Sequence, residues 1–88
     1  MHAVIIDVTT GDWPAAKAEL DEQIVPMVSG LPGFVGAYWI ALAGGNATSV
    51  LVFDSEASAQ ALASQAESAP AGSVTTRRIE LGEVIAHA

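Results

Sequence analysis

The spacing of apolar residues shifts repeatedly along this chain, and each shift marks an element. His2-Ala-Val-Ile-Ile-Asp-Val-Thr9 is short, continuous and β-branched, which predicts a buried strand. Thr10-Gly11-Asp12 predicts a turn. Asp12 stands where an N-cap belongs, and Pro14 at an early helical position where its missing N–H does no harm. Trp13, Ala16, Leu20, Ile24, Met27 and Val28 then recur at helical spacing, one stripe of an amphipathic helix, with Lys17, Glu19, Asp21 and Glu22 off it. Pro26 cannot donate to the carbonyl of Glu22, and its ring crowds that turn. A kink or break is expected there, followed by a short second piece ending near Ser29, with Gly30 as its C′ residue.

Beyond the Gly30-Leu-Pro-Gly33 turn the pattern becomes apolar on successive residues. Phe34-Val-Gly-Ala-Tyr-Trp-Ile-Ala-Leu-Ala43 and Ser49-Val-Leu-Val-Phe53 read as two strands joined through Gly44-Gly45-Asn46, residues that tolerate the positive φ of a tight hairpin. Ser55 or Asp54 caps a second helix over Glu56 to Ser68, rich in alanine and able to lie close to a sheet. Ala69-Pro-Ala-Gly-Ser73 reads as a loop. Val74 to Leu81 alternates as a strand, Gly82 suggests a bulge, and Glu83 to His87 is expected to continue as strand.

The order strand, helix, strand, strand, helix, strand predicts an α+β fold, ferredoxin-like βαββαβ, with a four-stranded antiparallel sheet in the order 4-1-3-2 and both helices on one face. Residues 1–88 form a single domain with no repeat or linker. The hairpin is greasy on both sides, so the second sheet face keeps residues drawn from Val4, Ile5, Ile6, Tyr38, Trp39, Ile40, Val50, Leu51 and Val52. Leaving that face wet forfeits about 1.5–3 kcal/mol for each large side chain. A homodimer through the open sheet face recovers it, and the Glu83–His87 segment is expected to cross to the partner's sheet edge.

Charge narrows the partners. Ten carboxylates stand against Lys17, Arg77 and Arg78, a formal net charge of −7. Such a surface repels phosphate backbones and anionic lipid, so no nucleic-acid or membrane partner is expected. Charged residues make up only 15% of the chain, well below the usual share of roughly 25%, which again favours burial in an oligomer. The absence of cysteine excludes disulfides, thiolate metal sites and cysteine nucleophiles. The N-terminus lacks a signal-peptide pattern, and no apolar run approaches a membrane span, so a cytoplasmic location is expected.

Pro32-Gly33-Phe34-Val35-Gly36-Ala37-Tyr38-Trp39, the strand Val50-Leu51-Val52-Phe53 and Asp54-Ser55-Glu56-Ala57 together resemble the antibiotic-biosynthesis-monooxygenase-like (ABM) family. The resemblance spans nearly the whole chain in element order, with about 25 residues alike in sequence. It implies a dimeric α+β barrel. It also implies chemistry without a cofactor in one branch and haem degradation in another. The haem-degrading branch uses an Asn on the first strand, a Trp on the third and a His on the second helix. This chain has Asp7 on the first strand and neither of the other two. The quinone-forming branch sets Trp, Asn, Tyr and Arg around a cleft between helices and sheet. Here Tyr38 and Trp39 share the second strand, but Asn46 lies in a turn and both arginines are on the last strand.

The candidate chemistry is correspondingly sparse. Tyr38 and Trp39 are adjacent on a strand and must point to opposite faces, either as core or with one stacking on a planar aromatic ligand. Asp7, among apolar neighbours, is a candidate general base if buried, or else the partner of Arg77 or Arg78. His2 and His87, with Glu83 or Glu80, are conceivable metal ligands because the first and last strands neighbour each other, but local ligand spacing is lacking, and no metal or other cofactor is expected. Gly44-Gly45 has no phosphate-loop spacing. Two functions follow: a cofactor-independent monooxygenase acting on a small hydrophobic or aromatic substrate, with Asp7, Tyr38 and Trp39 as its candidates, or a non-enzymatic homodimer binding a small apolar ligand or partner protein.

Overall fold

The computed structural model describes residues 1–68, 72 and 74–88 of the chain. Its elements are β1 (His2–Thr9), α1 (Trp13–Glu19), a π-helical turn (Leu20–Ile24), α2 (Val25–Ser29), β2 (Phe34–Ala41), β3 (Asn46–Phe53), α3 (Glu56–Ser68) and β4 (Thr75–Glu83). The four strands form one antiparallel sheet in the order β2-β3-β1-β4, the expected order read from its other edge. The fold is α+β. Except for Gly72, the loop expected over 69–73 lies outside the described residues.

Register assigns the two faces. Val4 pairs with Leu51 on β3 and with Leu81 on β4, while Leu51 pairs with Ala37 on β2. Since side chains alternate along a strand, Val4, Ile6, Leu51, Phe53, Trp39 and Ile79 share one face. Val28 of α2 and Ala59, Leu62 and Ala63 of α3 close over it, so that Val4, Val28, Leu51 and Phe53 are fully buried. Phe34 packs edge-on against Phe53, ring centroids 6.0 Å apart and planes at 74°. The alanines of α3 let it lie near the sheet, as their size suggests.

Asp12 caps α1, its Oδ1 accepting from the Ala15 N–H at 3.0 Å. Ser55 rather than Asp54 caps α3, its Oγ accepting from the Ser58 N–H at 3.2 Å. The break expected at Pro26 takes the form of a π-turn. The N–H of Val25 reaches back five residues to the carbonyl of Leu20, which widens the turn so that the proline begins α2 instead of clashing within α1. Ala16 and Val28 stay buried, whereas Trp13 and Met27 emerge to solvent.

Three expectations are corrected. Gly30 ends α2 with φ −91°, so it does not provide a left-handed stop. Gly33 is the residue with positive φ, +78°, and a Cβ there would lie 2.5 Å from Asp54 Oδ1 and 2.7 Å from Ser58 Oγ. This close approach lets the Gly33 carbonyl accept from the Asp54 N–H at 2.8 Å, joining the start of β2 to the approach to α3. The irregularity in the last strand falls at Arg77, between the pairs Asp7–Arg78 and Val8–Thr76, while Gly82 pairs regularly with Ala3. Finally, β4 ends at Glu83, and residues 84–88 have no regular structure, although the Val84 N–H donates to the Met1 carbonyl at 2.9 Å.

In the hairpin Gly44 and Gly45 take φ +71° and +77°, as the loop chemistry suggests. β2 ends at Ala41, short of the expected Ala43, while β3 begins at Asn46, earlier than the expected Ser49. The carbonyl of Gly45 accepts from the Thr10 N–H at 2.8 Å, so the hairpin tip is tied to the end of β1. Among the described residues no helix is long and apolar enough to cross a membrane.

Candidate functional site

The face opposite the helices is the chemically distinctive surface. Three rows run across it in the order β2, β3, β1, β4. Gly36, Val52, Ala3 and Gly82 form one row; Tyr38, Val50, Ile5 and Glu80 the next; Ile40, Thr48, Asp7 and Arg78 the third. The β2 and β3 half is apolar. Tyr38 is 74% exposed and Ile40 43%, while Ile5, Val50 and Val52 are half-buried by their neighbours alone.

The polar corner is closed on itself. Asp7 accepts from the Thr48 hydroxyl at 2.8 Å, and its second oxygen pairs with Arg78 Nη2 at 2.8 Å. Arg78 reaches Glu80 through Nη1 at 2.9 Å. Arg77, displaced by the bulge, donates to Asn46 Oδ1 at 3.0 Å. Asp7 is therefore the partner of Arg78, the arginine directly opposite it in register. Thr48 completes this group and escaped sequence reasoning, because only the β1–β3 register puts it beside Asp7.

The three candidate catalytic residues do not converge. Trp39 pairs with Ser49 and packs against the helix-side core, while Tyr38 pairs with Val50 on the other side of the sheet. Asp7 shares the open face with Tyr38, two strands away and engaged by Arg78. A cleft holding both Trp39 and Asp7 is excluded by this topology.

The histidines are also apart. His2 pairs with Glu83 in register and lies 3.5 Å from Glu56 through Nε2, with its Nδ1 buried and unpartnered. Glu80 points to the opposite face, and His87 is exposed in the irregular tail. Among the described residues no group of three or more His, Asp or Glu side chains gathers as metal ligands would.

Two grooves open at the surface. An apolar one of about 230 Å³ runs between Leu31-Pro32 and the outer side of α3, lined by Ala57, Ala61 and Leu62. A polar one of about 470 Å³ lies at the His2–Glu83 end, against Glu56 and Gln60. Asp7, Tyr38 and Trp39 line neither. No protein-family model matches the chain, and no curated protein sequence matches it either.

Proposed function

We propose that this protein works as a non-enzymatic homodimer of the ferredoxin-like, dimeric α+β barrel kind, two copies meeting through their open sheet faces. The single observation that carries this reading is the exposure of Tyr38 and Ile40 beside Val50, Val52 and Ile5, on a sheet whose other face is already filled by helices. Tyrosine with aliphatic neighbours on the β2 and β3 half of the face is the composition of an interface core, and the charged groups of the face are paired at its opposite corner. The resemblance in Pro32 to Trp39 and Val50 to Ala57 points to the same dimeric architecture.

The non-enzymatic half of the reading rests on the separation of Asp7, Tyr38 and Trp39. A cofactor-free oxygenase needs a base and an orienting surface around one substrate, and here the base is held by Arg78 and the two aromatics face opposite ways. The apolar groove beside Leu31 and Leu62, at about 230 Å³, is below the roughly 300 Å³ at which ligand pockets begin.

Sedimentation with oxygen-uptake assays tests both halves. The expected outcome is a dimer that consumes no oxygen with hydroxyanthrones. A monomer, or turnover lost on Asp7→Asn, would overturn the reading.

A further inference from the structure

The helical side of the molecule carries a sulfur that is both exposed and engaged. The chain has two methionines, Met1 and Met27, 38% and 41% exposed. In α2 the neighbouring Val28 is fully buried, and Met27 turns outward at the seam between α2 and α3. There the exposed Gln65 of α3 donates from Nε2 to Met27 Sδ at 3.8 Å. Among the described residues the Met1 sulfur accepts no hydrogen bond.

A thioether sulfur has two lone pairs, and each is a point at which an electrophilic oxygen can add. An amide N–H directed at one of them draws density from it and blocks approach along it. The second lone pair of Met27 has no such cover, and the exposure of the side chain opens it to small solutes. Addition at one lone pair or the other makes the two sulfoxide epimers, which separate enzymes reduce. Covering one lone pair therefore chooses the epimer.

We propose that Met27 is a reversible oxidation site, at which peroxide makes predominantly one sulfoxide epimer because Gln65 covers the other lone pair of the sulfur. The free lone pair attacks one peroxide oxygen, so that an S–O bond forms and the O–O bond breaks. The departing hydroxide takes up the proton left on the transferred oxygen, giving sulfoxide and water. Sulfur loses two electrons and the peroxide gains them. The product is a substrate for one of the two epimer-specific sulfoxide reductases, which restores the thioether.

The position suits a modification that the fold survives. Oxidised methionines disrupt cores because a polar group replaces an apolar one. Here the core positions of α2 and α3 are held by Val28, Leu62 and Ala63, and the sulfur lies outside them. Gln65 also lines the apolar groove beside Leu31 and Leu62, so the new S–O dipole appears at the edge of that groove. The site is on the helical side of the sheet, away from the open face, and is the same in the monomer and in the proposed dimer.

Trypsin separates the two methionines, since Lys17 lies between them and Arg77 beyond Met27. The intact chain is partly oxidised with hydrogen peroxide and digested, and each peptide is treated with one or the other reductase before its mass is read. At Met27 one reductase is expected to remove at least about three times as much sulfoxide as the other, while at Met1 the two remove about equal amounts. Gln65→Ala uncovers the sulfur, and Gln65→Glu replaces the amide donor with a carboxylate that only accepts. Both variants, shown to be folded by circular dichroism, are expected to bring the Met27 ratio to that of Met1. Equal epimers at Met27 in the starting chain, a ratio unchanged in both variants, or a Met27 that stays reduced while Met1 is oxidised would each overturn the inference.

Discussion

At the scale of single residues, the glycines divide into those the monomer needs and those it does not. Gly33 belongs to the first kind, because its φ of +78° and the nearby Asp54 and Ser58 side chains leave no room for a Cβ. Gly33→Ala is expected to destabilise the fold by about 1–3 kcal/mol, read as a lower urea midpoint. Gly11→Ala, with open space and no positive φ, serves as the neutral comparison. The turn was legible in the sequence as Gly30-Leu-Pro-Gly33, but which glycine carries the positive φ was not. That depends on Asp54 and Ser58, more than twenty residues away, coming back against the turn. Tyr38 and Trp39 show the same limit. Adjacency on a strand guarantees opposite faces, whereas which face each takes follows from the pairing of Tyr38 with Val50 and Trp39 with Ser49. Similarly, Asp7 was readable as the partner of an arginine, but the choice of Arg78 over Arg77 is made by the β1–β4 register, which runs unbroken from His2–Glu83 to Asp7–Arg78.

At the scale of elements, local signals did most of the work. β1 and α3 begin and end where the β-branched run and the alanine-rich run do, and Pro26 breaks its helix as its chemistry requires. The hidden features are those that need a neighbour. The Arg77 bulge arises from the pairing of β4 with β1, and nothing in Val74 to Leu81 itself signals it. Trp13 and Met27 of the expected stripe are exposed while Ala16 and Val28 are buried, a difference that a regular 3.6-residue period conceals. The element that joins these parts is β3, a central strand contributing both Leu51 and Phe53 to the core. Phe53→Ala removes the ring that meets Phe34 and is expected to cost about 3–5 kcal/mol. In a small domain with typically 5–15 kcal/mol in total, thermal unfolding should then begin near ambient temperature. A shift of only a few degrees would mean the core closes without this ring.

For the whole molecule, the helices cover one face of a single sheet, and the other face, apolar in its β2 and β3 half and polar at the Asp7–Arg78 corner, remains open. In the described residues the helices lie on one side of the sheet, and in the proposed dimer a second copy covers the other. Two strongly acidic copies repel each other, and screening by salt reduces that repulsion. Association through the apolar rows is therefore expected to tighten between low and moderate ionic strength in sedimentation experiments. Weakening with salt would indicate contacts built on charge instead. The most direct measurement of the central claim is the solution mass of the starting chain at micromolar concentration. The open-face dimer predicts twice the 9.0 kDa of one chain, reduced to a single chain by Tyr38→Ala together with Ile40→Ser. A stable particle of 9.0 kDa would contradict it, as would a dimer indifferent to both substitutions.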